Sequence, residues 1–273
     1  MRHALYLPPF GRFADPAVVL DLARAAEAGG WDGLFLWDHI ARPHEPQRTV
    51  VGDPWILLAA VATVTSRIRL GPMVTPLARR RPQKVARESV TLDRLSGGRL
   101  VLGVGLGVNA GGELTRFGEL DDDKARAAVY DEALGLLKDL WSGEEVDHRG
   151  EHFTVDHVTF LPRAVQEPHI PLWGAAWGGG PLKPVRRAAR LDGLFPVNTT
   201  IDQLGPMLEI VAAERGGLDG YDVMFEAEAG VALDLDAMAA LGVTWVARSI
   251  DDARDPAEII AAVEAGPAGP LAG

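Results

Sequence analysis

The sequence predicts an α/β fold, a closed (β/α)8 TIM barrel with a small hairpin insertion at about 144–170, the whole of 1–273 forming a single domain. Three observations predict it. Short apolar runs alternate with amphipathic helical patterns from end to end, as parallel strands joined by crossover helices require. The alternation occurs eight times. No linker interrupts it, which favours a closed barrel over an open doubly wound sheet.

Taken in order, a strand at 3–7 leads to a helix at 16–28, capped by Asp15, opened by Pro16 and stopped by Gly29 and Gly30. A strand at 33–37 follows. Asp53 and Pro54 repeat the cap pair and open a helix running to about 65, and the third strand is expected at 68–74. A helix at 82–95 ends at the Ser96-Gly97-Gly98 turn, before a fully apolar fourth strand within 99–107. Residues 122–141 read as a long helix. The segment 145–166 alternates polar and apolar residues between turn signals, as a hairpin does. Strands at 171–176, 193–198, 223–227 and 243–249 then alternate with helices at 181–190, 201–215, 235–241 and 256–264.

Composition narrows the function. With 273 residues, 47% of them hydrophobic, the chain has ample length to bury a core. No stretch reaches the roughly 20 apolar residues of a membrane span, and the opening MRHALYLPPFGRF lacks the apolar run of a signal peptide, so a cytoplasmic protein is expected. The absence of cysteine excludes disulfides, thiolate metal sites and a cysteine nucleophile. A formal charge of −11 argues against nucleic acid and anionic membranes as partners.

In a parallel barrel, function sits where strands end, so the polar residues there are the first candidates. The second strand ends in Trp37-Asp38-His39. A histidine there can move a proton near neutral pH and an adjacent aspartate can orient it, although a polar pair capping the loop is the plainer alternative. After the third strand, Arg79, Arg80 and Arg81 precede a Pro-opened helix; an anion site is conceivable, and a solvated charge run is the preferred reading. Alternate glycines at 103, 105 and 107 end the fourth strand before Val108 and Asn109, leaving bare backbone against which a flat ring could lie. The loop Trp177-Gly178-Gly179-Gly180-Pro181 runs into a helix carrying Lys183, Arg186 and Arg187, an arrangement that suits a phosphate unless it is merely a glycine-rich helix start. No histidines stand at metal-ligand spacing. His148, His152 and His157 fall in the hairpin and read as solvent-facing, so no metal is assigned.

In order along the chain, AAEAGGWDGLFLWDH, RIRLGPMVTP with RRRP, LDRLSGGRLVLGVGLG, LLKDLWSG and the WGGG loop before ARLDGLF resemble the luciferase-like monooxygenase superfamily. That resemblance implies a flavoprotein-type oxidoreductase or monooxygenase, with a flavin or deazaflavin ring at the barrel mouth. The cofactor would be coenzyme F-420 or FMN. The Asp-His pair and the basic residues available to an acidic tail tip the balance towards F-420. The resemblance further implies a non-prolyl cis peptide at Met73-Val74, ring contacts from Asp38, His39, Met73, Val74 and Thr75, an Asn109 contact to the ribityl chain or ring edge, and phosphate binding by Gly178, Gly179 and Gly180. His39 and Asp38 would be the catalytic pair. A small-molecule substrate, a homodimeric partner and, with FMN, a separate flavin reductase complete the expectation. The sequence departs from the deazaflavin-dependent sugar-phosphate dehydrogenases at Val108, where those enzymes place an acid, which argues against that activity. It also motivates a rival reading, a non-catalytic flavin-binding barrel protein.

Overall fold

The computed structural model describes residues 1–43, 50–228, 231–250 and 254–268; the rest of the expected 1–273 domain lies outside the described residues. The elements are β1 (Arg2–Leu7), α1 (Pro16–Ala28), β2 (Gly33–Leu36), α2 (Pro54–Val64), β3 (Arg69–Pro72), β4 (Thr75–Pro76), α3 (Pro82–Ser96), β5 (Leu102–Gly105) and α4 (Asp123–Trp141). Then come β6 (Glu145–Arg149), β7 (Thr154–Thr159), β8 (Leu172–Trp177), α5 (Leu182–Ala188), β9 (Gly193–Val197), α6 (Ile201–Arg215), β10 (Asp222–Glu228), α7 (Leu235–Leu241), β11 (Trp245–Ser249) and α8 (Pro256–Glu264).

The sheet order is β3-β2-β1-β11-β10-β9-β8-β5-β4, all parallel. Since β3 and β4 are consecutive halves of one strand, this order is a ring. A bridge from Leu70 to Leu100 ties β3 to the lead of β5 and completes it. The third strand is therefore split where one run over 68–74 was expected. The break holds the cis peptide Met73-Val74, and Tyr6 Oη, buried inside the barrel, donates to Met73 O at 3.0 Å.

Alternation along the strands sorts side chains between two cores. Leu5, Leu7, Leu34 and Leu36 pack outwards against the helices. Tyr6, Phe35, Met73, Trp173, Phe195 and Trp245 fill the barrel interior, with Phe35, Trp173 and Trp245 mutually 5.6–6.0 Å apart. These large rings plug the barrel below its mouth. The expected caps form: Asp15 accepts from Ala17 N–H and Asp53 from Ile56 N–H, each before a proline that opens its helix.

The hairpin β6–β7 is antiparallel and stands apart from the barrel sheet. Its histidines do not all face solvent as expected. His157 is exposed, whereas His148 and His152 are half-buried because Glu132 of α4 accepts from His152 N–H and from Phe153 N–H at 2.9 Å and meets His148 Nε2 at 3.0 Å. Among the described residues, no helix is long and apolar enough to cross a membrane.

Candidate active site

A cavity of about 400 Å³ opens at the C-terminal ends of the barrel strands. Its wall is built from the segments after β2, between β3 and β4, after β5 and after β8, the loop positions from which barrel enzymes work.

Beyond Leu36 the chain sends three consecutive side chains to three destinations. Trp37 packs on Tyr6, their ring centroids 5.5 Å apart. Asp38 turns into the framework: Oδ2 accepts from Trp55 Nε1 at 3.1 Å and from Thr75 Oγ1 at 3.0 Å, while Arg80 Nη2 donates to both carboxylate oxygens at 2.8 and 2.9 Å. Asp38 borders the cavity with its carboxylate engaged. His39 lines the cavity with its ring against Phe10 and Trp37, and its Nδ1 lies 2.8 Å from Glu113 Oε2.

Glu113 is the residue that sequence reasoning missed. It stands on the loop after β5, buried, where Oε1 accepts from Ile40 N–H at 2.6 Å and Ala41 N–H at 2.9 Å, and Arg79 Nη1 donates to Oε2 at 3.4 Å. Burial alone would raise its pKa. The hydrogen bond and charge of His39, the Ala41 N–H and Arg79 reverse that and hold the carboxyl below its ordinary value. An ionised Glu113 accepts, so His39 Nδ1 carries the proton and Nε2 is the nitrogen left for a ligand. The available signal was an isolated acid in an apolar, glycine-rich strand-end segment, Gly111-Gly112-Glu113-Leu114.

The arginine run divides: Arg81 is exposed to solvent, in line with the preferred reading, whereas its two predecessors are not. Arg79 and Arg80 turn inwards, with side chains only 8% and 21% exposed, as counterions to Glu113 and Asp38. A buried acid pair needs such partners, because an unpaired buried carboxylate is strongly disfavoured.

The glycines of the fourth strand make room for the split third strand, and Gly105 and Gly107 also line the cavity. A Cβ on Gly103 would lie 2.4 Å from Met73 Sδ, one on Gly105 2.8 Å from Val74 Cγ2, and one on Gly107 2.8 Å from Pro76 Cβ. Met73 and Val74, seated on that bare backbone, form a cavity wall. Thr75 does not reach the cavity; fully buried, it donates to Asp38. Asn109 does line it, while its Oδ1 accepts from Leu114 N–H at 2.9 Å and so shapes the Glu113 loop. Gly178, Gly179 and Gly180 stand beside the cavity rather than on its wall, which Trp177 and Pro181 supply. Two of their N–H groups are already spent, Gly178 on Val197 O at the end of β9 and Gly180 on Trp177 O, both at 3.2 Å. The following helix starts at Leu182, with Pro181 as its N-cap.

These walls fit a flat, partly polar ligand. Met73, Val74, Leu106 and Val108 present apolar surface, while His39, Asn109 and Arg126 are among the polar residues that line the same cavity. Arg126 of α4 adds a donor: its Nη1 reaches Gly107 O at 3.2 Å, and its buried Nε has no partner among the described residues. A ligand oxygen would satisfy it.

A parallel barrel with a largely apolar cavity opening at its mouth and one positioned imidazole there defines the class, and sequence comparison gives the family. The chain matches the luciferase-like monooxygenase family over residues 4–264 and belongs to it. It is 32% identical over 246 residues to an F420-dependent glucose-6-phosphate dehydrogenase of Nakamurella multipartita, covering 86% of this chain and 70% of that one. A 288-residue alignment with an uncharacterised protein of Mycobacterium tuberculosis gives 33% identity over 96% of this chain and 98% of the other. Among solved structures, the monooxygenase RslO1 from Streptomyces bottropensis superposes with a TM-score of 0.72 at 25% identity, covering 89% of this chain and 75% of that one. An F420-dependent secondary alcohol dehydrogenase in complex with an F420-acetone adduct gives 0.73 at 24% identity, with 88% and 73% covered, a likeness of fold.

Proposed function

We propose that the chain is an oxidoreductase of a small organic substrate that uses coenzyme F-420 or FMN, with F-420 favoured. The observation that carries this reading is His39, anchored through Nδ1 by an ionised Glu113 and facing an otherwise largely apolar cavity. Relatives named for F420-dependent dehydrogenation, aligned over most of this chain, support the choice of cofactor. When bound, such a ring supplies hydride exchange with the substrate, and reduced FMN would also activate oxygen.

The protein's own part is positional and protonic. Met73 and Val74 support one face of the ring, Asn109 and Arg126 offer hydrogen bonds along its edge, and the Gly178-Gly179-Gly180 loop beside the cavity receives the phosphate, chiefly through Gly179 N–H, since those of Gly178 and Gly180 are engaged. His39 Nε2 takes the proton of a substrate hydroxyl, or returns one to a carbonyl, while Glu113 stabilises the imidazolium that results. Asp38 acts at one remove, fixing Thr75, Trp55 and Arg80 behind the site. Glu113 thus places a carboxylate beside the histidine although Val108 offers none, which favours turnover over mere cofactor binding. The reading includes a cytoplasmic enzyme whose residues 1–273 form one domain, acting as a homodimer, with a separate flavin reductase in the FMN case.

The test follows oxidation-state change of F-420 by absorbance with a panel of small alcohols and carbonyls. His39→Ala is expected to lower turnover by about two to four powers of ten with cofactor affinity largely kept. Equal turnover in the two proteins would remove His39 from the reaction.

A further inference from the structure

Outside the site, a second cleft of about 600 Å³ runs between α4 and α5. Its charged walls are Asp131 and Lys138 from α4, and Lys183, Arg186, Arg187 and Arg190 from α5 and the turn after it. Five cations face one carboxylate there, in a chain whose formal charge is −11. Such a concentration against the overall charge creates a local positive potential.

The internal pairing does not neutralise it. Arg187 Nη2 donates to Asp131 at 2.8 Å, and Arg186 pairs with Glu214 of α6. Lys138, Lys183 and Arg190 make no ion pair among the described residues. On α5, Lys183 stands three and four residues before Arg186 and Arg187, which puts them on one side over about 6 Å of helix, and Arg190 continues the line in the turn that follows. The cleft also adjoins the cavity. Arg187 lines both, and its guanidinium lies 4.9 Å from the centroid of Tyr130, itself a cavity residue.

We propose that this cleft binds an extended polyanion leading out of the cavity, namely the acidic, carboxylate-bearing tail of coenzyme F-420. The inference rests on the reading of the cavity as an F-420 site. Ring and phosphate then occupy the cavity and its rim, while the tail passes Arg187 and descends α5 towards Arg190 and Lys138. Exposed ion pairs are individually weak, so tail affinity comes from several of them and is screened by salt.

The experiment measures dissociation constants by fluorescence for intact F-420 and for the same molecule trimmed back to its phosphorylated core. Both are titrated into the wild type and into a Lys138→Glu/Arg190→Glu double variant, at low and high salt. Both substituted residues lie outside the cavity wall, and thermal unfolding checks that the variant folds. Intact F-420 is expected to bind the wild type about tenfold more tightly than the core, an advantage lost in the double variant and reduced by salt. Equal affinities for the two forms in the wild type, or an unchanged advantage in the variant, overturn the cleft assignment and leave the cavity reading standing. Failure of both forms to bind overturns the cavity reading and this inference together.

Discussion

At the scale of single residues, the site is a histidine whose partner comes from far along the chain. Asp38 and His39 were legible because they end a barrel strand, but their division of labour was not. It depends on Glu113, Arg79 and Arg80, which the fold brings from 34 to 74 positions away. Glu113→Gln keeps the shape but removes the charge on the Nδ1 side of His39. A charge-assisted hydrogen bond contributes roughly 1.5–3 kcal/mol, so turnover is expected to fall about ten- to hundredfold. Steady-state kinetics on the variant check it, and wild-type rates would show that Glu113 does not orient the ring. Gly105→Ala tests the cavity wall. Its new Cβ meets Val74 Cγ2 at 2.8 Å and pushes that side chain towards the ligand. Overpacking of this kind costs about 1–3 kcal/mol, and cofactor affinity is expected to drop about tenfold or more; an unchanged dissociation constant would mean that Val74 does not touch the ring.

At the scale of elements, the most family-specific stretch, LDRLSGGRLVLGVGLG, is largely framework. Asp93, fully buried, accepts from Val165 N–H at 2.7 Å and from Gln166 Nε2 at 2.7 Å, fastening the segment that returns from the hairpin. Arg99 donates to Ala62 O, Thr65 O and Ile68 O at 2.8–3.0 Å, closing the C-terminus of α2 onto the lead of β3. Neither role could be read from the sequence, because each joins residues that only the barrel makes neighbours. Arg99→Met leaves those carbonyls without their donor, and a stability loss of about 3 kcal/mol or more is expected in denaturant unfolding. Glu27 makes a comparable join between α1 and β3, accepting from the N–H groups of Ser66, Arg67 and Ile68. Burial would raise its pKa, but these hydrogen bonds lower it to about 2. A depressed carboxylate contributes stability that is present above its unfolded value of about 4.3 and is lost as pH falls towards 2. Wild type should therefore lose stability more steeply than Glu27→Gln between those pH values. Parallel acid titrations of the two proteins would refute the assignment.

At the scale of the whole molecule, the eightfold alternation was legible because each strand and helix carries its own period and its own stop signals. Closure of the ring, the split third strand and the inward turn of Arg79 and Arg80 were not, since each is settled by packing across the barrel. The glycine pattern shows the difference well: the sequence reveals where side chains are missing, and only the fold reveals that Met73, Val74 and Pro76 fill the space. Above the plug of large rings the barrel keeps a cavity at its mouth beside His39, and the proposed occupant is a flavin-like ring. Equilibrium titration of the purified protein with coenzyme F-420 and with FMN, followed by absorbance and fluorescence, shows whether the cavity takes such a ring. Saturable binding at one site per chain is expected, tighter for F-420 and weakened by Gly105→Ala; binding of neither cofactor, or binding indifferent to that substitution, would contradict it.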